Sequence, residues 1–362
     1  MKQILLVALV ALFMFMNLNK INAQGCVAIR STGGVCSTDH SEQMDTLSKW
    51  SLNVNNRYFK SFRHFVGTKE QKQRVDQGTE VINHSYTMDV SLTYNINKWW
   101  SIAVDAPIVA NTRSSLYEHD GKSRFSTSSF GLGDVRFTAY RWMLDPGKLH
   151  KGNVQFGLGI KLPTGDYKYQ DFFYKNDSTH LLGPVDQSIQ LGDGGTGFTA
   201  EINAFYNLSK HVSLYSNLYY LANPREQNGT STARGSVPSP SSILYGSSTM
   251  SVPDQYMLRG GVNFTAKNLT LSLGARDECL PVRDLIGKSS GFRRPGYIIS
   301  AEPGINYNFK KINVYAFVPF ALQRNRTQSV PDKVKTKLTG VYSQGDAAFA
   351  DYTINFGFST KF

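Results

Sequence analysis

After residue 16 the sequence has no apolar run long enough to cross a bilayer as a helix, and stretches rich in Ala, Leu and Glu are missing. The first absence excludes a helical membrane protein; the second tilts the chain towards β structure. Cysteine is scarce, at three residues in 362, with no Cys-x-x-Cys pair. None of the seven scattered His is followed at i+4 by a carboxylate or a second His, so no metal box appears. The glycines of Gly157-Leu158-Gly159 and of Gly192-Asp193-Gly194-Gly195-Thr196-Gly197 are followed by no Lys-Ser/Thr pair, which excludes a phosphate loop. Glycines of this kind serve turns and curvature in a β protein, and no cofactor is implied. Acidic residues are the minority, 27 against 39 Lys and Arg, for a net charge of +12.

What is present is aromatic or small: 22 Phe, 19 Tyr and 31 Gly. A mean hydropathy of −0.30 has the look of a soluble protein. Strict alternation dilutes apolar residues in the same way, however, so a membrane barrel stays open. Lys2, the apolar run Ile4 to Met16 and Ala23 have the layout of a secretory signal over residues 1–23. Residues 24–49 would then form a short periplasmic or plug-like segment. In an oxidising compartment Cys26 and Cys36, flanking Ser31-Thr32-Gly33-Gly34, are a disulfide candidate that leaves Cys279 over. Three unrelated thiols, or lipidation of Cys26 after Ala23-Gln24-Gly25, are the alternatives.

The stretch Ala347 to Phe362 sets the pattern. Tyr352, Ile354, Phe356 and Phe358 fall on one face, and Asp351, Thr353, Asn355, Gly357 and Ser359 on the other. A period of two makes it a strand. Ending on Phe362, it resembles the closing strand of bacterial outer-membrane barrels, the end that the barrel-assembly machinery reads. The same alternation recurs from Trp50 to about Val66 and through Tyr86 to Ile96, Trp100 to Ile108, Phe130 to Met143 and Val154 to Leu162. It returns in paired segments around Phe198–Tyr206, Val212–Tyr220, Tyr256–Phe264, Leu269–Ala275, Tyr297–Tyr307 and Ile312–Phe320. Short turns (Asn97-Lys98, Asp145-Pro146-Gly147, Leu208-Ser209-Lys210, Lys267-Asn268, Lys310-Lys311) alternate with long polar loops. Among the loops, the Ser/Pro/Gly-rich stretch Pro224 to Pro253 has the composition of a mobile surface.

Twelve strands with loop lengths sorted by end predict an all-β, antiparallel up-and-down transmembrane β-barrel over residues 50–362. Short periplasmic turns and long extracellular loops follow, with the protein in the outer membrane of a Gram-negative bacterium. Trp50, Tyr94, Trp99, Trp100, Tyr206, Tyr307 and Phe309 beside the short turns would form an interfacial girdle against outer-membrane lipid.

If the apolar faces meet lipid, the opposite faces line a lumen. Those faces carry Arg57, Arg63, Arg136, Lys161, Arg259 and Arg276 as bases, and Asp89, Asp105, Asp134, Glu201, Glu302 and Asp351 as acids. The balance implies mutual pairing, either as a structural filling or as a constriction with fixed charges. Tyr215, Tyr219 and Phe317 would shape the same path. The basic excess then belongs to turns and loops: Lys148, Lys151, Lys310 and Lys311, with Arg293, Arg294, Arg324, Arg326, Lys333, Lys335 and Lys337 available to lipopolysaccharide phosphates or plain water. Nucleic acid is not supported. A barrel phospholipase would need a Ser and His on the outer rim; only His84 is near such a place, and an enzyme is not expected.

Three motifs carry a family resemblance: Phe130-Gly131-Leu132-Gly133-Asp134-Val135, Gly157-Leu158-Gly159-Ile160-Lys161-Leu162-Pro163-Thr164-Gly165-Asp166-Tyr167, and Val185-Asp186-Gln187-Ser188-Ile189-Gln190-Leu191-Gly192-Asp193-Gly194-Gly195. They resemble the bacterial family named for the meta-cleavage pathway of phenol degradation, and the Gly25-Cys26 to Cys36 segment looks like members from Bacteroidota. The resemblance implies an outer-membrane barrel to which transport is assigned from context, with no catalytic residues. The expectation is a channel or transporter for a small solute, a hydrophobic or aromatic one being the leading case. The competing class is a non-transporting barrel, structural or partner-binding, with a sealed lumen.

Overall fold

The computed structural model describes residues 48–148 and 150–362. The expected signal sequence, nearly all of the segment expected after it and the candidate Cys26–Cys36 pairing lie outside the described residues; Cys279, inside them, is a buried free thiol.

Twelve staves form one closed antiparallel wall. They are β1 (Trp50–Val66), β2 (Ile82–Asn95), β3 (Trp100–Ser115), β4 (Phe125–Leu132 and Arg136–Trp142), β5 (Gly152–Lys161) and β6 (Gly197–Asn207). There follow β7 (Val212–Ala222), β8 (Gln255–Ala266), β9 (Leu269–Leu280), β10 (Gly296–Phe309), β11 (Ile312–Phe317 and Phe320–Arg326) and β12 (Ala347–Lys361). Each pairs with its sequence neighbours, and β12 closes on β1 from Ser51↔Lys361 to Phe65↔Ala347. Followed along the hydrogen bonds, the ladder that leaves β1 at Ser51 comes back to it at Gly67, through Arg326. That stagger of about sixteen residues tilts the staves by roughly 35–45°.

Alternation decides which way each side chain points. Leu158 is 70% exposed and Phe130 68%, while the residues between the outward apolar ones are mostly buried in the lumen. Small polar inner faces and broad apolar outer faces fit a wall with hydrocarbon outside. Among the described residues no helix is long and apolar enough to cross a membrane. At the short-turn end Trp50 packs on Tyr94 and Tyr307 on Phe309, ring centroids 4.7 and 4.4 Å apart. The Lys267-Asn268 and Lys310-Lys311 turns place Lys267 and Lys310 at φ +53° and +51°, the left-handed conformation that tight hairpins require.

Three expectations are corrected. The fourth strand is not continuous: Gly133, Asp134 and Val135 leave the ladder. β5 stops before Leu162-Pro163, and Pro163 has no N–H to donate. The orphaned groups of Val135 are met instead by the following loop, its N–H donating to Thr164 Oγ1 and its carbonyl accepting from Leu162 N, both at 2.8 Å. The stretch Pro224 to Pro253 is folded, with a hairpin (Gln227–Ser231 with Thr249–Ser251) and a short helix, α1 (Pro240–Leu244). Asn228, Thr230, Met250 and Val252 are buried in it, so polar composition reflects hydrogen bonding to neighbouring loops. The region after Arg324 is not simple loop either: β11 runs to Arg326, and α2 (Val330–Thr339) follows. That helix starts on a Ser329/Asp332 capping box and ends at Gly340, φ +71°.

Candidate functional site

The lumen is built in three levels. Nearest the short turns it is neutral and polar: Asn203 donates to Gln155 Oε1 (3.2 Å), Ser272 to Asn263 (2.7 Å), and Tyr315 OH to Asn53 (2.8 Å). Amides and hydroxyls at alternate positions bond to one another here without fixed charge.

The middle level is ionic. Arg57 on β1 reaches Glu278 on β9 at 2.9 Å, a bridge between staves that are not neighbours. Glu278 also takes Arg276 at 2.8 Å, Arg276 takes Glu302 at 3.2 Å, and Glu302 binds Arg259. A second cluster joins Arg136 to Asp105 at 3.0 Å and to Glu201 at 3.5 Å, with Tyr140 OH donating to Glu201 at 2.9 Å. Asp89 is buried within electrostatic range of Arg57. Aromatic rings cover the guanidinium groups: Arg259 lies over Phe317 at 4.6 Å and Arg136 over Tyr219 at 5.2 Å. Rings that point into the lumen need room against the wall, and glycines supply it. A Cβ on Gly157 would lie 2.6 Å from the Tyr140 ring, and one on Gly304 would overlap Phe317. The middle of the lumen is therefore filled.

The upper level is a cap. Residues 185–193, from the loop after β5, turn inwards across the mouth. Asn111 on the inner face of β3 donates to Ile189 O at 3.3 Å, Gln187 donates to Ser251 O at 2.8 Å, and Arg294 clamps Asp186 at 2.6 Å. Arg113 binds Glu118 at 2.8 Å and lies 3.5 Å from Asp186. Burial opposes ionisation of Asp186, but Arg113 and Arg294 outweigh it and hold the carboxyl well below the usual range. Between cap and ionic level lies a cavity of about 70 Å³. Its walls include Val109, Leu191, Tyr219, Leu221, Met250 and Leu280, and its polar edge Asp134, Arg136, Lys161 and Asp193.

The structure thus gathers Arg57, Asp89, Asp105, Arg136, Glu201, Arg259, Arg276 and Glu302 in the lumen. Lys161 and Asp134 sit above them at the break in β4, with Lys161 Nζ 3.1 Å from Asp134 and 2.7 Å from Gly195 O. Asp351 belongs to the rim, where it binds Arg63 at 2.7 Å and Arg324 at 2.6 Å. Four of the basic loop residues expected to face lipopolysaccharide or water are paired instead: Arg293 with Asp284, Arg294 with Asp186, Arg324 with Asp351 and Arg326 with Asp332. Lys333, Lys335 and Lys337 on α2 remain exposed. His84 Nδ1 lies 2.8 Å from the Tyr58 hydroxyl.

Sequence reasoning missed Glu278, Tyr315 and Asp193. Glu278 continues the inward parity of Arg276, but Asp277 on the outward side interrupts the apolar series. Tyr315 stands between outward Val314 and Ala316. Asp193 is a loop residue with no periodicity to mark it.

A closed antiparallel barrel with an apolar exterior and a polar, charged interior is the architecture of outer-membrane barrels. An outer membrane channel from Pseudomonas putida F1 shares it: TM-score 0.57 and 10% identity over 90% of this chain and all of the other. A Pseudomonas aeruginosa FadL homologue (TM-score 0.43, 8% identity, 92% and 96% of the two chains) and the Ralstonia pickettii toluene transporter TbuX (0.42, 9%, 95% and 99%) align more loosely. Only the first bears on the fold. No family model matches the sequence, and no curated protein matches it.

Proposed function

We propose that the chain is an outer-membrane channel for small, largely apolar solutes, aromatic ones included, with its short turns in the periplasm. Lipid and lipopolysaccharide surround it, and the barrel-assembly machinery receives it through the strand ending at Phe362. The meta-pathway resemblance in the three motifs agrees with this reading. The observation that carries it is the cavity: an apolar chamber lies under the cap and directly above a lumen filled by paired charges. A general diffusion pore has no use for such a chamber, whereas a solute that pauses between two barriers does.

The test uses the reconstituted barrel in liposomes with lipopolysaccharide in the outer leaflet. A small aromatic tracer should enter faster than in protein-free vesicles, while sucrose should not cause swelling. Asp105→Ala and Arg136→Ala should each change ion conductance. Tracer entry at the protein-free rate with a folded barrel would overturn the reading and favour a sealed scaffold, for which the Arg57–Glu278 bridge speaks.

A further inference from the structure

The three motifs that carry the family resemblance are far apart in sequence, and the fold brings them to one point. Asp134 comes from the break in β4, Lys161 from the last residue of β5, and Asp193 from the inturned loop. Lys161 Nζ binds Asp134, Asp193 and Gly195 O together. Asp134 also accepts from Gly165 N at 3.0 Å and from Asp193 N at 3.1 Å. Glycine is required where backbones meet: a Cβ on Gly192 would strike the Asp134 carboxylate and lie 2.7 Å from Gly165 O, and one on Gly165 would lie 2.8 Å from Gly192 N. One cation thus ties the wall to the loop, and its side chain is almost wholly buried.

The balance of charge gives this cluster a direction. Asp134 belongs to the wall and Asp193 to the loop, and Lys161 is the cation that both carboxylates share. Without the cation, two carboxylates face each other in a poorly solvated place, where like charges repel strongly. The loop is the lighter partner. We propose that Lys161 is the positioning residue that latches residues 185–193 into the mouth, so that passage through the barrel requires this latch to release. The inference rests on the channel reading for its purpose, but the latch itself is measurable without any solute.

Single-channel conductance in potassium chloride reads the opening directly, and heat-dependent mobility on a gel reports whether the barrel is folded. Lys161→Met should raise conductance several-fold and speed amide exchange across residues 185–193. Lys161→Met combined with Asp193→Asn removes the repulsion as well as the cation, and should return conductance towards wild type. Should Lys161→Met fail to fold, Gly192→Val provides a route that leaves β5 untouched, wedging the loop from Asp134 with the same rise expected. A folded Lys161→Met or Gly192→Val barrel with wild-type conductance and exchange would overturn the latch and leave the cluster a brace of the wall. Failure of the double variant to recover would overturn its electrostatic basis. Absence of tracer entry in every variant would sink the solute reading while leaving the latch standing.

Discussion

Glu302 accepts from two guanidinium groups, those of Arg259 and Arg276, with none of its side chain exposed. Removing one partner from a buried ionic group usually costs about 3–5 kcal/mol, because the charges left behind have no water to replace it. Glu302→Ala should therefore lower the urea midpoint of the folded barrel in detergent. Glu302→Ala with Arg259→Met should recover part of the loss, because one stranded cation goes with it. Equal midpoints for wild type and Glu302→Ala would mean that water already bathes this site. The inward parity of Glu302 was legible in the sequence. Its partners were not, because the alternation says which face a side chain takes and nothing about which staves meet across the lumen.

At the scale of elements, the staves and the cap were legible to different degrees. β2, β5 and β12 announce themselves because over most of their length the outward residues are apolar and the inward ones small or polar. The cap has no such signature: beside its ion pairs it is held by Ser, Asn and Gln side chains donating to loop carbonyls, residues that a mobile loop is also rich in. The break in β4 does leave a mark, a slip of one residue in the alternation: Phe130 and Leu132 face outward before Gly133-Asp134-Val135, Phe137 and Ala139 after it. The cap's acids give it a pH dependence. Burial opposes ionisation of Glu118, and Arg113 and Arg234 overcome this, as Arg113 and Arg294 do for Asp186. Both carboxyls sit below their unfolded values, so their stabilisation is complete above the unfolded range. It is lost as pH falls from about 5 through the lowered folded values. Amide exchange of residues 185–190, corrected for its intrinsic pH dependence, should be flat from about pH 8 to 5 and accelerate below about pH 4. Acceleration already at neutral pH would contradict the pairing.

For the whole molecule the facing of side chains is the decisive property, and a single position tests it. Leu158 is among the most exposed apolar residues of the wall, while its neighbour Gly157 is buried inside. Leu158→Arg should destabilise the lipid-embedded barrel by about 2–4 kcal/mol, the usual cost of a cation on the hydrocarbon face near mid-bilayer. The measurement is the unfolding midpoint in lipid vesicles. An unchanged midpoint would place Leu158 outside the hydrocarbon layer and undo the assignment of the two faces.

The meeting of β1 and β12 also governs how the cylinder can form. Every other pair of staves joins segments that follow one another in the chain, but this ladder joins the first to the last. Its loop-closure entropy is met late, after the hairpins have formed. Until then the nascent sheet has two bare margins, each able to recruit a foreign strand. Refolding yield should consequently depend on protein concentration during that interval far more than on the strength of the finished wall.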